Sequence, residues 1–421
     1  MSSRPIIIVT GANSGVGLGI CHRLLSQLSQ RDPPDAHPAF NPTSEVAEVE
    51  EDGHIYPCSG LTLVMACRSI NKAEAARREL YDTLDKEIAE RSRKGEDDGF
   101  GGKFRRNLTI DILQVDLSQM SSVFKFCDEV RQKYPYVSHL IFNAGVIHMS
   151  GIAWFEATIE LCTHFIHAVT YPSFYKQHTG EMSRDGLGWV WQSNVFGHFA
   201  MYRSLQPLLS QTPAPCSPSR VIWTSSLEAH RLYDSDDFQL TKTDHSYEGS
   251  KYQIELIATQ LARREDREKN IRHFIVHPGV ASTNISASKL NFFTEFFKVL
   301  TFFIARFFGS PHHTITAANA AFSAVHVTLV SISLIPLSLW ASKSSSHSNG
   351  TASHSNGNGL SPSSNSPPVK FASVTDRWGN PGVLTQEIAG WNEDTEKESA
   401  LLVGKCERLY QGFLEAEGRK S

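Results

Sequence analysis

The chain has 421 residues and a formal net charge of −4, which leaves room for one enlarged α/β domain or two to three average ones and offers no basic excess to hold a nucleic acid. Its seven cysteines contain no C-x-x-C pair and point to reduced thiols in a cytosol-facing protein rather than to a disulfide framework. Eighteen histidines yield no H-E-x-x-H or similar spacing, so no metal site is expected, and no signal-peptide pattern precedes the first apolar run.

Residues 6–9 are β-branched and predict a strand. A Thr10-Gly11-x-x-x-Gly15-x-Gly17 turn follows, and then an apolar face at helical spacing on Val16, Ile20, Leu24 and Leu25. Strand, glycine turn and helix open a doubly wound fold. Residues 30–60 turn to Pro, Asp, Glu and Ser and read as a surface insertion. Residues 61–66 restore a buried-strand pattern, and 71–90 are rich in helix formers. The charged, glycine-rich stretch 90–107 predicts a mobile loop. Further strands are predicted at 108–115, 139–142, 220–224 and 272–276, with helices at 190–209 and 247–262 and a long insertion of little regular pattern at 146–188. This alternation predicts an α/β fold with a parallel sheet covered on both faces, its motifs at the carboxyl ends of the strands.

Beyond residue 285 the composition changes. Residues 292–308 carry eight phenylalanines with Lys298 and Arg306 interspersed, which suits either an interfacial helix with snorkelling cations or the wall of an apolar pocket. Residues 317–340 are long enough to span a bilayer, but Asn319, His326, several serines and Pro336 favour attachment to one face. A Ser/Asn/Gly-rich tract at 342–368 predicts disorder, and ordered pattern resumes at 369–387 before a charged amphipathic helix over 392–417. The division expected is a dinucleotide-binding domain over 1–284 with three insertions, an apolar substrate or membrane lobe over 285–341, the disordered tract, and a C-terminal segment over 369–421 completing the lobe.

The glycine turn suits a pyrophosphate, because helix N-terminal amides point at the anion and glycines let the backbone come close; a tight turn without ligand is the alternative. At the end of the second strand stand Cys67, Arg68 and Ser69, with no carboxylate to hold a ribose 2′-hydroxyl. A guanidinium there suits the 2′-phosphate of NADP, unless Arg68 is an ordinary surface residue. Asp116, after the third strand, is either an adenosine contact or a helix N-cap. Tyr247 is the one tyrosine of eleven with a lysine four residues on, Lys251, so that phenol and ammonium share a helix face. A phenol needs such a neighbour to act as an acid near neutrality.

Thr10 to Gly17, Asn143-Ala144-Gly145, Asn194, Ser226, Tyr247 with Lys251, and Pro278-Gly279 together resemble the motif set of the short-chain dehydrogenases/reductases, over residues 5–284. Segments 194–197, 223–226, 246–251, 290–294, 305–311 and 384–388 resemble the fungal 3-keto-steroid reductases more narrowly. The resemblance implies a Rossmann fold and NADPH-dependent reduction of the 3-keto group of a 4-methyl or 4-desmethyl 3-ketosterol during C-4 demethylation. It implies that Tyr247 donates the proton, that Ser226 (or Ser225, one residue off in register) bonds the carbonyl oxygen, and that Lys251 grips the nicotinamide ribose and lowers the Tyr247 pKa. Asn194 would hold a relay water. Gly11, Ser14, Val16 and Gly17 would wrap the pyrophosphate, Arg68 the 2′-phosphate, Asp116 and Asn143 the adenosine, Val280 and Thr283 the carboxamide. Implied partners are the sterol C-4 methyl oxidase, the C-3 decarboxylating dehydrogenase and a tethering membrane protein, at the cytosolic face of the endoplasmic reticulum or a lipid droplet. A reductase of another lipid ketone or retinoid, and a catalytically idle scaffold, are the competing readings. The insertions at 30–60 and 90–107 are expected to flank the adenine side.

Overall fold

The computed structural model describes residues 4–37, 54–230, 233–265, 269–282, 292–332, 335 and 367–419. Its centre is a sheet whose first four strands are β1 (Ile6–Thr10), β2 (Leu61–Cys67), β3 (Leu108–Gln114) and β4 (His139–Phe142). A separate hairpin holds β5 (Met149–Ile152) and β6 (Tyr175–Gln177), and the main sheet continues with β7 (Ser219–Thr224), β8 (Ile271–His277), β9 (Val369–Thr375) and β10 (Pro381–Glu387). The strand order is β10-β9-β8-β7-β4-β1-β2-β3, parallel except at β9–β10. All six strands expected before residue 280 are present, and the order reverses between β1 and β4, the switch point where such sheets bind ligands.

Period-2 alternation divides the core. Ile7 and Val9 of β1 face α1 (Gly15–Leu28) and α2 (Ile70–Lys94), while Ile6 and Ile8 face the opposite layer. That second layer contains α4 (Met120–Lys133), α8 (Gly197–Ser210), α9 (Ser246–Gln260) and α13 (Glu393–Ala416), numbered with α3 (Phe100–Arg106), α5 (Trp154–Thr163), α6 (Phe165–Thr170) and the short α7 (Trp189–Trp191) counted between. Every residue of β1 and β2 is buried, as a parallel sheet covered on both faces requires, whereas the edge strand β3 alternates between covered and exposed positions.

Several expectations need correction. Residues 90–107 are mostly helical: α2 runs on to Lys94, where Arg91, Arg93 and Lys94 complement the helix dipole and Gly95 (φ 73°) ends it. Asp98 and Asp97 then accept from the amides of Phe100 and Gly101 (3.0 and 3.1 Å), so the charges read as loop are caps for α3, which buries Phe100 and Phe104. Residues 369–387 do more than pack on the lobe, where Thr375 Oγ1 donates to the His313 carbonyl (2.9 Å) and Ser373 Oγ to the Ala320 carbonyl (2.8 Å). They extend the main sheet as β9 and β10, with β9 paired to β8.

Beyond residue 285 lie α10 (Phe292–Phe307), α11 (Ala317–Ala320) and α12 (Phe322–Leu329). A Cβ on Gly19 of α1 would lie 2.3 Å from the Ala317 carbonyl oxygen, so α11 packs directly on the α1 backbone. α12 is buried along its whole length, and no helix among the described residues is long and apolar enough to cross a membrane. Thr283 and nearly all of the 342–368 tract lie outside the described residues.

Candidate active site

The carboxyl ends of β1, β2, β4, β7 and β8 open into one cleft of about 1230 Å³, larger than a single drug-sized pocket. Gly11 and Gly15 take positive φ (68° and 54°) to turn the chain from β1 into α1. A Cβ at Gly17 would stand 2.3 Å from the Gly11 carbonyl oxygen and 2.5 Å from Asn143 Nδ2, so this turn tolerates only glycine. Ser14, the N-cap of α1, makes no capping bond with its side chain, and it lines the cleft with Val16. The Thr10 hydroxyl accepts from the amides of Asn143 and Ala144, 3.0 Å each, and sits 3.1 Å from His198 Nε2. Burial depresses the His198 pKa to about 3, so the ring is neutral. Its Nδ1 faces the Asn194 carbonyl at 3.0 Å, which can only accept; Nδ1 therefore carries the proton and Nε2 accepts from Thr10.

Beside the turn, Arg68, Ser69 and Lys72 line the cleft, with Glu79 about two turns further along α2. Lys72 was not foreseen: it faces the cleft because the helix begins at Ile70 and turns that position inward. Asp116 also borders the cleft, but its carboxylate accepts from Ser118 (amide 3.0 Å, hydroxyl 2.7 Å) and Gln119 Nε2 (3.1 Å). It is not the helix cap that the sequence offered as its other role: the N-cap of α4 is Gln119, and Asp116 braces the turn before it. Asn143 donates from Nδ2 to the Thr10 carbonyl at 3.1 Å and so ties the ends of β4 and β1. Val280 borders the cleft, its amide held by the His312 carbonyl at 2.7 Å. The described parts of the 30–60 insertion, and residues 90–107, do not line the cleft. The 146–188 insertion does, through Met149, Ile152, Trp154, Leu161, Val169, Phe174 and Tyr175.

At the centre of the cleft α9 presents Tyr247 and Lys251 on one face, with Lys251 Nζ 5.7 Å from the Tyr247 ring centroid. That ammonium donates to the Thr224 carbonyl at 2.8 Å, fixing it to the end of β7, and burial lowers its pKa to about 8. Ser225 and Ser226 part company here. The Ser225 hydroxyl is bonded to Glu255 Oε1 (2.6 Å), behind the cleft, whereas the Ser226 hydroxyl interacts with the phenol and pulls its pKa down. Burial, first, and the Glu228 carboxylate, second, nevertheless push Tyr247 above its ordinary value. The expected lowering by Lys251 is therefore absent from the balance, because Lys251 is itself desolvated and turned onto the strand.

Asn194 lies in a π-helical turn, Gln192–Phe196, between α7 and α8, an irregularity often found at functional sites. Its Oδ1 accepts from the Val146 amide (2.7 Å), and its Nδ2 donates to the Val146 carbonyl and to Ser250 Oγ (2.9 Å each). The side chain thus splints the loop after β4 to α9. Glu228 went unnoticed in the sequence, where it is one acid among many. Here its pKa is raised to about 8 by burial first and Glu248 second, two residues beyond Ser226. With these placements, the cleft joins a polar half beside the glycine turn to an apolar half, and a phenol, a hydroxyl and an ammonium stand between them.

No protein-family model matches the chain. It is 30% identical over 335 residues to the 3-keto-steroid reductase of Schizosaccharomyces pombe, covering 78% of this chain and 84% of that one. It is 29% identical over 388 residues to that of Saccharomyces cerevisiae, covering 92% and 90%. The Kluyveromyces lactis 3-keto-steroid reductase matches at 30% over 328 residues, covering 78% and 81%. Among solved structures, L-sorbose reductase from Gluconobacter frateurii with NADPH and L-sorbose aligns with a TM-score of 0.46 at 15% identity, over 78% of this chain and 90% of that one. A Pseudomonas aeruginosa RhlG/NADP complex aligns at 0.44 and 14%, over 77% and 89%. With nearly a third of positions identical along most of the fungal sequences, this chain belongs to the 3-keto-steroid reductase family.

Proposed function

We propose that this chain reduces the 3-keto group of a 4-methyl or 4-desmethyl 3-ketosterol to the 3-hydroxysterol with NADPH, as a step of sterol biosynthesis. The observation that carries the reading is the single cleft in which Tyr247, Ser226 and Lys251 separate a glycine-turn half from an apolar half. The residues present fit a dinucleotide: Gly11, Ser14, Gly15 and Val16 line the cleft at the start of α1, Ser14 leaving the first helix amides without a side-chain cap, and Arg68 and Lys72 supply positive charge at the far end. Gly11, Ser14, Val16, Gly17, Asn143 and Val280 would hold it with Arg68 and Lys251, and Asp116 would border its adenosine end. When bound, NADPH supplies the hydride. The chain's own part is general acid catalysis: Tyr247 gives its proton to the carbonyl oxygen, Ser226 bonds that oxygen, and Lys251 holds the ribose side. Asn194 keeps α9 in register with the loop after β4.

The test is oxidation of NADPH, compared with NADH, by purified protein in detergent with a 4-methyl-3-ketosterol, the product being identified by mass. NADPH-dependent 3-hydroxysterol is the expected result; nucleotide binding without reduction of that ketone would leave the substrate assignment wrong. Arg68→Ala should raise the KM for NADPH by about tenfold or more, the loss of one charge-assisted hydrogen bond, with the KM for NADH little changed. Equal effects on both nucleotides would remove Arg68 from the 2′-phosphate site.

The same reading places the protein on the cytosolic face of the endoplasmic reticulum or a lipid droplet, beside the C-4 methyl oxidase, the C-3 decarboxylating dehydrogenase and a tethering membrane protein. Support for membrane attachment comes from α10, which turns Phe302 and Ala305 inward and leaves Phe296, Phe297, Leu300, Phe303, Ile304 and Phe307 exposed. Trp154, Phe155 and Ile159 of α5 add to this apolar surface near the cleft. Lys298 pairs with Glu295 at 2.7 Å and lines the cleft, and Arg306 stacks over Phe303 at 4.9 Å. Replacing Phe303 and Phe307 together by Ser should weaken cosedimentation with phospholipid vesicles by about tenfold or more, since each buried phenylalanine contributes about 1.5–3 kcal/mol. Unchanged cosedimentation would exclude α10 as the attachment face.

A further inference from the structure

The catalytic helix α9 begins without a cap of its own: the residue before it, His245, makes no side-chain bond to the helix amides. The first amides of a helix need acceptors, and a frayed first turn would loosen Tyr247, the second residue of α9. The acceptor comes from elsewhere in the chain. Gln177, 6% exposed at the end of β6, accepts the Tyr247 amide on Oε1 at 2.9 Å and the Ser246 hydroxyl on the same oxygen at 3.2 Å. Its Nε2 donates to Glu248 Oε2 at 2.7 Å. One buried amide side chain thus binds three consecutive residues of the turn that carries the acid.

Two residues earlier on the same strand, Tyr175 lines the apolar half of the cleft beside Phe174. Positions two apart on a strand point the same way. The hairpin is therefore both a wall for the substrate and the anchor of the catalytic helix. We propose that Gln177 is a positioning residue of the reductase, which holds the Tyr247 phenol at the reacting carbonyl by clamping the first turn of α9 to the substrate-binding hairpin. The proposal rests on the ketone-reductase reading for its kinetic consequence, but not for the clamp itself.

Around the clamp stand Glu248, Glu228, Lys251 and the Tyr175 phenol, with His245 Nδ1 3.9 Å from Glu248 Oε1. A neutral amide is the side chain that can accept from α9 while donating to Glu248. Gln177→Ala removes both functions. Gln177→Glu keeps the acceptor but sets a carboxylate against Glu248, and adding Glu248→Gln rebuilds the pair with donor and acceptor exchanged.

The four proteins (wild type, Gln177→Ala, Gln177→Glu, and Gln177→Glu with Glu248→Gln) are compared by kcat, KM for NADPH, NADPH affinity and amide hydrogen exchange of the first turn of α9. Gln177→Ala should lower kcat on the order of ten- to a hundredfold, the scale of a misplaced catalytic group, with NADPH affinity unchanged. Exchange of the turn should quicken in both single variants, and the exchanged pair should recover kcat and slow exchange together. Wild-type kcat in Gln177→Ala, or an exchanged pair no better than Gln177→Glu, would overturn the proposal. If Gln177→Ala loses nucleotide binding as well, the exchanged pair decides. Should the wild type fail to reduce the sterol ketone, the functional reading falls while the exchange rates still judge the clamp.

Discussion

Tyr247→Phe is expected to lower NADPH-dependent ketone reduction by about 10²–10⁴-fold, the usual contribution of a positioned general acid. The change removes one oxygen from a half-buried ring that lines the cleft, so the fold and nucleotide affinity should be unaltered, and NADPH binding measured by fluorescence serves as the control. The direction of the pKa shift suits the reducing direction. Burial and Glu228 hold the phenol above its ordinary value, which keeps its proton in place throughout the neutral range. The alkaline limit then belongs to another group. Lys251, lowered to about 8 by burial, is charged below that pH and loses its charge as the pH rises through it. Reduction by the wild type should accordingly decline through about pH 8. A phenylalanine variant that keeps a tenth of wild-type turnover would remove Tyr247 from the role of acid.

Lys370→Met should cost about 3–5 kcal/mol of stability, because it strips the partner from a buried carboxylate. Lys370 Nζ lies 2.7 Å from Glu255 Oε1, with the two side chains 7% and 0% exposed. Ser225 donates to the same oxygen, while among the described residues Glu255 Oε2 has no partner. Without the lysine, Glu255 would hold its proton to a higher pH in the folded protein than in the unfolded chain. An acid raised by folding destabilises only where the unfolded chain ionises, so the loss should be small near pH 4 and grow as the pH rises. Thermal or urea unfolding at two pH values reads this directly, and Glu255→Gln in the same background should recover most of the stability. A loss that does not depend on pH would mean packing, not charge, is what Lys370 supplies. The pair also couples the C-terminal strand β9 to Ser225, next to Ser226, the hydroxyl proposed to bond the ketone oxygen, so turnover in Lys370→Met should fall even where the protein remains folded.

Much of the centre was legible because local chemistry dictates it. A β-branched run, a glycine turn and a helical apolar face can hardly be anything but the first βα unit, and the spacing of four between Tyr247 and Lys251 places them on one helix face in any context. The strands of the parallel sheet are apolar on both sides, so their positions survive without knowledge of their neighbours.

The rest depended on partners distant in the chain. Whether Ser225 or Ser226 faces the phenol is settled by Glu255 and Lys370, the latter 145 residues further on and beyond the Ser/Asn/Gly tract. Charges around residues 91–98 read as a loop by composition, yet they serve as dipole partners and caps for two helices, a role visible only once α3 has an apolar core to bury Phe104 against. The 146–188 insertion has no periodicity to betray its hairpin, and nothing in a lone glutamine marks Gln177 as the anchor of α9. Sequence by itself determined the fold of the nucleotide half and the helix face that Tyr247 and Lys251 share, since backbone propensity and side-chain spacing act within a few residues. Tertiary structure alone decided which of the two serines is tied to Glu255, what bonds the first turn of α9 and what walls the apolar half, because those contacts join segments that no local rule connects.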